Sequence, residues 1–79
     1  MTAEKLSCPC CGYATITEEH DICPICRWQF DCWQRDSPDD DKGPNYVSLR
    51  QARINFASSG CADQREKVRC KKPSELGFD

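Results

Sequence analysis

The sequence has little of the apolar material that a stable core requires. Hydrophobic side chains make up 38% of its 79 residues and aromatic side chains 9%, whereas 30% are charged. A chain this short buries only about 60% of the surface that its unfolded form exposes, so packing alone leaves little net stability. We therefore expect one domain, over residues 1–79, that depends on a metal ion or on disulfide bonds.

Patterns that indicate an enzyme or a membrane protein are missing as well. The sequence has one histidine, and we recognise in it no Ser/His/Asp set, phosphate-binding loop or pair of catalytic carboxylates. Met1–Ser7 has no apolar run of the kind found in signal peptides, and no later segment resembles a membrane span. We expect a protein that is not an enzyme, is cytoplasmic and has no membrane partner.

Cysteine, in contrast, is abundant, with eight residues. Four of them form two Cys-x-x-Cys pairs, Cys8 with Cys11 and Cys23 with Cys26, and a proline follows the first cysteine of each pair. Two such pairs are typical of zinc sites in which four thiolates surround one ion. A framework made only of disulfides is the alternative, but disulfides are rare in a reducing compartment. We predict one Zn²⁺ bound by these four cysteines.

The first motif contains a further cysteine, Cys10, that must be assigned. Two-residue spacing selects Cys8 and Cys11 as ligands, because adjacent cysteines reach one tetrahedral ion only with strain. Gly12 directly follows the second ligand, where a positive φ lets backbone N–H groups turn toward the sulfurs. We predict that Cys10 is a spare thiol outside the metal site.

Residues 8–33 are predicted to form the metal-binding ribbon. Tyr13–Ile16 is rich in strand formers and a polar connection follows it, which indicates a short β-hairpin. Histidine can replace cysteine as a metal ligand, but four well-spaced thiolates are present, so we expect His20 in a solvated loop. The next apolar residues alternate with polar ones, which places them on one strand face that covers the metal. They are Trp28, Phe30 and Cys32.

After the ribbon, composition predicts three further segments. Residues 34–47 combine acids with proline and glycine and should form a loop. Residues 48–59 should form a helix, because a capping box begins at Ser48 and Gly60 follows the last helical residue. Residues 60–79 are polar, and we expect an irregular tail.

Charged side chains of the loop and the helix are candidate contacts for a partner. Three successive aspartates also suggest calcium, but a calcium loop needs alternating oxygen ligands and a distal glutamate, which this sequence lacks. An acidic loop and exposed arginines can instead bind an oppositely charged protein. The candidates are Asp39, Asp40 and Asp41 in the loop and Arg50 and Arg53 in the helix.

Cys32, Cys61 and Cys70 lie outside the paired motifs. Together with Cys10 or His20 they could be assembled into a second metal site, but their long, unpaired spacings do not support one. We predict separate free thiols or a late disulfide.

The charge of the chain is unevenly distributed. Residues 1–40 carry three basic and eight acidic side chains, a net charge of −5, and residues 41–79 carry eight basic and five acidic ones, a net charge of +3. Four thiolates on one Zn²⁺ make the first half more negative still. Nucleic-acid-binding proteins usually show a basic excess. This balance therefore argues against nucleic acid and favours a basic protein partner.

Three stretches carry a recognisable combination of motifs. They are Cys-Pro-Cys-Cys-Gly-Tyr from Cys8, Ile-Cys-Pro-Ile-Cys-x-Trp from Ile22, and Asn-x-x-Ser-Leu-x-x-Ala-Arg-x-Asn-Phe from Asn45. Together they resemble the bacterial cysteine-rich CPCC domain family. The resemblance implies a small, metal-binding cytosolic protein with relatives beside bacterial toxin genes, as immunity proteins tend to be. Where relatives tend to have Gly-Gly-Ala-Asn, this chain has Lys-Gly-Pro-Asn, ending at Asn45.

We predict a small metal-stabilised α+β fold. It should contain a zinc-ribbon or rubredoxin-like pair of knuckles with a short β-hairpin, followed by one α-helix and an irregular tail. The expected function is that of a zinc-binding protein-interaction module, in the form of an immunity protein that binds and neutralises a basic bacterial toxin domain. The oligomeric state stays open.

Two alternatives also stay open. One is a zinc ribbon that binds nucleic acid through aromatic and arginine side chains. The other is a rubredoxin-like redox protein that binds iron. Rubredoxin knuckles usually have glycine after the second cysteine, and Arg27 occupies that place after Cys26, which favours zinc.

Overall fold

The structure is a computed structural model that describes residues 5–78. Along this part of the chain lie β1 (Leu6–Ser7), β2 (Ala14–Ile16), α1 (Cys32–Asp36), α2 (Leu49–Ser59) and the 3₁₀ helices Gln64–Arg69 and Pro73–Leu76. These elements confirm the predicted small α+β class. Residues 1–4 and 79 of the predicted domain lie outside the described residues. None of the helices in the described range combines the length and the apolar character needed to cross a membrane.

Strands β1 and β2 form an antiparallel hairpin around the first pair of ligand cysteines. Leu6 is the partner of Ile16, with an irregularity before the next pair, and the N–H of Cys8 closes the turn by donating to the carbonyl of Tyr13 at 2.8 Å. The sequence predicted a hairpin that continues from residues 13–16 through the polar connection. The strand pairs instead with the segment before it, because the cysteine turn itself brings β1 beside β2.

A second turn repeats this arrangement around the second cysteine pair. Ile22 and Gln29 form an isolated antiparallel bridge, and the N–H of Cys23 donates to the carbonyl of Trp28 at 2.9 Å. Trp28 and Phe30 are 0% and 4% exposed. The predicted burial of these two rings is confirmed.

Cys32 does not continue that strand face, and this part of the prediction is wrong. The carboxylate of Asp31 accepts a hydrogen bond from the N–H of Gln34 at 2.9 Å and caps helix α1, which begins at Cys32. Cys32 is partly buried, and its thiol donates to Glu19 at 2.8 Å. An aspartate N-cap is a strong helix signal, and here it prevails over the alternation of apolar residues.

The predicted loop begins inside α1 and folds around the fully buried side chain of Gln34. Its Nε2 donates to the carbonyls of Asp40 and Val47 at 2.9 and 3.2 Å. Its Oε1 accepts from the backbone N–H and the side-chain Nδ2 of Asn45 at 3.3 and 2.9 Å. One amide side chain therefore satisfies polar groups from three parts of the loop.

Two further contacts fix the same loop. Asn45 also exchanges two hydrogen bonds with the backbone of Gln29, at 2.8 and 2.9 Å, and so joins the loop to the ribbon. A Cβ added to Gly43 would overlap the side chain of Gln34. The glycine is therefore required here for space.

Helix α2 begins and ends where the sequence predicts. The hydroxyl of Ser48 accepts from the N–H of Gln51 at 3.1 Å, and Gly60 closes the helix with a φ of +83°. Leu49 and Ala52 are fully buried in the same cluster of side chains as the ligand cysteines. The helix thus covers the ribbon with one small apolar face.

The tail is less irregular than predicted. It contains the two 3₁₀ helices and a disulfide between Cys61 and Cys70, which is one of the two alternatives left open for these cysteines. The N–H of Ala62 donates to the carbonyl of Cys26 at 2.8 Å. The tail is therefore hydrogen-bonded to the backbone of Cys26, one of the four predicted ligands.

We expect Gln34→Ala to be strongly destabilising. It removes four hydrogen bonds and leaves buried loop groups without a partner, at about 1–3 kcal/mol for each group. The free energy of unfolding of the metal-loaded protein, measured by denaturant titration, should fall by about 3 kcal/mol or more. The control is Gln64→Ala at an exposed position, which should change it by less than about 0.5 kcal/mol. Equal losses in the two variants would show that Gln34 does not hold the loop.

Candidate metal centre

The four cysteines selected by their spacing lie together in the structure. The sulfurs of Cys8, Cys11, Cys23 and Cys26 are all within 4.8 Å of one another. Cys8 and Cys26 are 3.5 Å apart, and Cys11 and Cys23 are 3.6 Å apart. A tetrahedral ion with metal–sulfur bonds of about 2.3 Å holds its sulfurs about 3.8 Å apart. The cluster can therefore hold one tetrahedral metal ion.

Two backbone turns of the same design position these sulfurs. We call Cys8–Tyr13 the first knuckle and Cys23–Trp28 the second knuckle. In each, the N–H of the first cysteine donates to the carbonyl five residues later, and the N–H four residues later donates back to the cysteine carbonyl, at 2.8 to 2.9 Å. This closure brings the sulfurs at the first and fourth positions of each knuckle to one point.

The residue after the second cysteine of each knuckle has a left-handed backbone. Gly12 has a φ of +85° and Arg27 a φ of +67°. A side chain in this region is sterically unfavourable, yet Arg27 adopts it because the chain must turn back for the carbonyl of Trp28 to reach the N–H of Cys23. The lack of glycine after Cys26 leaves the knuckle unchanged, so it does not distinguish zinc from rubredoxin-like iron.

Hydrogen bonds join the sulfurs to one another and to a threonine hydroxyl. The pKa of Cys23 lies far below its ordinary value because its sulfur accepts first from the Cys11 thiol and also from the hydroxyl of Thr15, 3.0 Å away. The pKa of Cys26 is raised, first by the neighbouring thiol of Cys10. The Thr15 hydroxyl can donate to Cys23 when this sulfur is a thiolate bound to a cation.

Thr15 was missed by the sequence analysis. It is only 9% exposed, and its hydroxyl is directed at a cluster sulfur. Its one sequence signal is its place in the strand that follows the first knuckle. Groups that donate to a metal ligand orient it and stabilise its charge.

Cys10 lies in the core beside the cluster. It is 8% exposed, and it is not among the four sulfurs that lie within 4.8 Å of one another. The structure thus brings the four predicted ligands together and leaves Cys10 next to Cys26 as an additional thiol.

The cluster is shielded from solvent. Cys8, Cys23 and Cys26 are buried and Cys11 is partly buried. Four thiolates fill a tetrahedral ion and leave no open position for water or substrate. This arrangement suits a structural metal.

His20 lies in a different group. Atoms of ligand type on Glu19, His20 and Asp31 are within 4.8 Å of one another at the surface. Both acids already accept hydrogen bonds, Glu19 from Cys32 and Asp31 from Gln34. His20 is therefore separate from the four-cysteine cluster, as the sequence predicted.

The candidate partner contacts in the loop are held by bonds within the chain. Asp39 pairs with Arg50 at the surface, and Asp40 accepts from the indole N–H of Trp33 at 2.6 Å. Asp41 is exposed. The three aspartates and Arg50 therefore lie in one region, where the arginine neutralises one of the acids.

Arg53 has a different environment. Its Nε donates to the carbonyl of Pro9 at 2.9 Å, so it links α2 to the first knuckle. Arg53 is exposed, and this hydrogen bond allows it to hold the helix against the knuckle. Of the five candidates, Arg53 alone is hydrogen-bonded to one of the knuckles.

A family model described as cysteine-rich CPCC matches residues 6–76. The matched region includes the four clustered cysteines, helix α2 and the disulfide. No curated protein matches the chain.

Thr15→Val should weaken metal binding without removing the fold. The two side chains have similar volume, but valine lacks the hydroxyl that donates to Cys23. Loss of a partner of this kind costs about 10–100-fold in metal affinity, to be measured by competition with a chelator of known affinity. Thr17→Val, in which the lost hydroxyl binds only Asp21, is the control and should retain the original affinity. Equal affinities for both variants would contradict this role.

Gly12→Ala should destabilise the first knuckle through its backbone alone. An added Cβ meets no atom within 4 Å, so the expected loss of about 1–2 kcal/mol reflects only the left-handed conformation. Arg27→Gly is the matched change in the second knuckle, and it should leave stability unchanged or raise it. Both are read from the denaturant midpoint of the metal-loaded protein. A loss on Arg27→Gly as large as that of Gly12→Ala would show that the arginine side chain, and not its backbone, matters.

Proposed function

The chain belongs to the cysteine-rich CPCC family, and from this membership and its four-cysteine cluster we propose that it is a non-enzymatic zinc protein whose metal maintains a protein-binding surface. The observation that carries the proposal is the convergence of four sulfurs within 4.8 Å. A fully occupied tetrahedral ion has no position for an activated water. This supports a structural metal in place of a catalytic one.

Zinc is the ion that we propose for the cluster. Soft thiolate ligands suit zinc, copper(I) and iron, and among divalent ions the same ligands bind zinc more tightly than iron(II). Zinc also has no redox chemistry, so it does not promote oxidation of Cys10 beside the cluster. In a chain with so small a core, the metal would supply a large part of the folding free energy.

An acidic surface on the loop supports a protein partner. Asp39, Asp41 and Tyr46 line a surface depression of about 280 Å³. Tyr46 is 75% exposed, and Trp33, whose indole binds Asp40, is 67% exposed. Aromatic side chains at a surface are frequent anchors in interfaces. We call these five residues the acidic face.

The partner that we propose is a basic toxin domain, in keeping with the immunity role that the family resemblance implies. Residues 1–40, which include the first two aspartates of the acidic face, carry a net charge of −5. Opposite charge speeds association, and this gain falls as salt is added. A toxin that acts on a polyanionic substrate is basic and would meet the acidic face favourably.

Metal analysis tests the zinc centre. The natively purified protein should contain one zinc ion per chain and should unfold when a strong chelator is added, because structural zinc contributes about 10–16 kcal/mol in small zinc domains. Cys11→Ser should lose the metal, whereas the adjacent Cys10→Ser should keep it. Metal content is measured by mass spectrometry and folding by circular dichroism. Iron in the native protein would contradict zinc, and full zinc content in Cys11→Ser would contradict the ligand set.

Binding experiments test the acidic face. A toxin domain encoded beside this gene should form a complex that weakens as salt is added, and Asp41→Asn combined with Tyr46→Ala should weaken it by about tenfold or more. Glu18→Gln is an exposed charge control in the ribbon and should have little effect. Calorimetry gives the affinities. If the double variant binds as tightly as the original protein, the interface is not the acidic face. If the protein binds none of the neighbouring gene products, the immunity role is contradicted.

A further inference from the structure

A surface cavity lies beside the disulfide of the tail. It has a volume of about 220 Å³, and both Cys61 and Cys70 line it. Its other walls include three lysines, Lys67, Lys71 and Lys72. A disulfide beside a cavity whose walls include three lysine side chains is available for chemistry that the metal centre does not use.

We propose that Cys61 and Cys70 form a thiol–disulfide exchange site for an anionic, low-molecular-weight thiol. We further propose that the disulfide form fastens the tail to the second knuckle. The first part stands on the cavity alone, and the second rests on the zinc site proposed above.

The cavity has the chemistry to recognise such a thiol. Lysine ammonium groups attract carboxylates, and positive charge favours the thiolate, which is the form that attacks a disulfide. Phe56 and Pro73 also line the cavity and give the stem of a small ligand an apolar surface. A ligand that carries both carboxylates and a thiol fits this combination.

The exchange is balanced without any other reactant. The small thiolate attacks the sulfur of Cys70, which is the less buried of the pair, forms a mixed disulfide and releases the Cys61 thiolate. A second small thiolate then attacks the small-molecule sulfur of that mixed disulfide and releases Cys70. The products are two protein thiols, after protonation, and one small disulfide, and the reverse sequence closes the protein bond.

Backbone hydrogen bonds connect this bond to the metal centre. The residue after each disulfide cysteine donates to the second knuckle: Ala62 to the carbonyl of Cys26 at 2.8 Å, and Lys71 to the carbonyl of Pro24 at 3.1 Å. The intervening 3₁₀ helix has no buried residue, and its Val68 is 94% exposed. The disulfide and these two bonds therefore fasten the segment to the second knuckle, and a hydrogen bond from Asn55 to the carbonyl of Ala62 at 2.8 Å and the stacking of Arg65 on Tyr46 hold its start elsewhere.

Opening the disulfide would release that constraint. A cross-link restricts the chain that it closes, so the reduced segment leaves the second knuckle more often. Each departure exposes the backbone of Cys26, a predicted metal ligand. Reduction is therefore expected to make the metal easier to remove.

Cys32 provides a matched comparison within the same chain. It is also partly exposed, but its thiol donates to Glu19, which raises the pKa of Cys32. Cys32 thus lies next to a carboxylate, whereas Cys61 and Cys70 lie next to lysines. An anionic small disulfide should therefore exchange slowly with the Cys32 thiol.

The first experiment measures exchange on the purified full-length protein. The disulfide is opened with glutathione, which is anionic, or with cysteamine, which is cationic, and each rate is divided by the rate of the same thiol with an uncharged model disulfide. The fraction of protein that has gained two hydrogens is read by mass spectrometry. Glutathione should be favoured by about tenfold at low ionic strength, and salt should reduce this preference.

Lysine variants show whether the cavity is responsible. Lys67→Gln, Lys71→Gln and Lys72→Gln combined should bring the preference close to one, whereas Lys42→Gln in the loop should leave it unchanged. No preference in the original protein, or a preference that survives the triple variant, would overturn the exchange site.

The second experiment measures zinc transfer to a coloured chelator. The reduced protein should transfer zinc at least about tenfold faster than the disulfide form, because reduction releases a short disulfide loop. Cys61→Ser combined with Cys70→Ser should behave as the reduced protein under either condition, and Cys32→Ser should keep the redox dependence. Equal transfer from both forms would overturn the fastening role. A protein without zinc would defeat the proposed metal centre, and the exchange rates would still test the cavity.

Discussion

Four sulfur atoms held within 4.8 Å of one another are the constraint on which this structure depends. As thiolates they repel one another, and burying such charge is costly unless a cation compensates it. The rest of the chain is arranged around that requirement. The first knuckle is the turn of the β1–β2 hairpin, and the second knuckle lies within an isolated antiparallel bridge. Helix α2 covers the pair through Leu49 and Ala52, and the tail bonds to the carbonyl of Cys26. A metal ion at this point would therefore join every part of the molecule, which explains how a chain with so few apolar side chains can fold.

Local signals predicted the parts of the structure that are decided locally. The Cys-x-x-Cys spacing identified the clustered sulfurs because the closure of each knuckle involves only six residues. The ends of α2 were found because Ser48 and Gly60 act on neighbouring backbone groups. The partner of β2 is also decided locally, because the first knuckle is the turn that brings β1 beside it. The inward position of Gln34 could not be found in this way, because its partners at Asp40, Asn45 and Val47 reach it only once the loop has folded.

The glycines show that a motif residue and the backbone conformation it usually adopts are separate requirements. A glycine after the second cysteine is a useful motif, yet Arg27 adopts the same left-handed backbone as Gly12. In the loop the reverse holds, because Gly43 is required for contact with Gln34. Gly43 and Asn45 of this loop are packed or bonded inside, whereas Lys42 and Pro44 are exposed.

The chain also has to keep two kinds of sulfur chemistry apart. A thiolate that reaches a disulfide exchanges with it, and Cys26 lies one hydrogen bond from the residue that follows Cys61. Metal coordination would remove this conflict, because a sulfur committed to an ion and buried at 0% exposure is a poor nucleophile. The metal would then have a second role beside that of stabilising the fold. By occupying the four thiolates it would leave Cys61 and Cys70 to pair with each other.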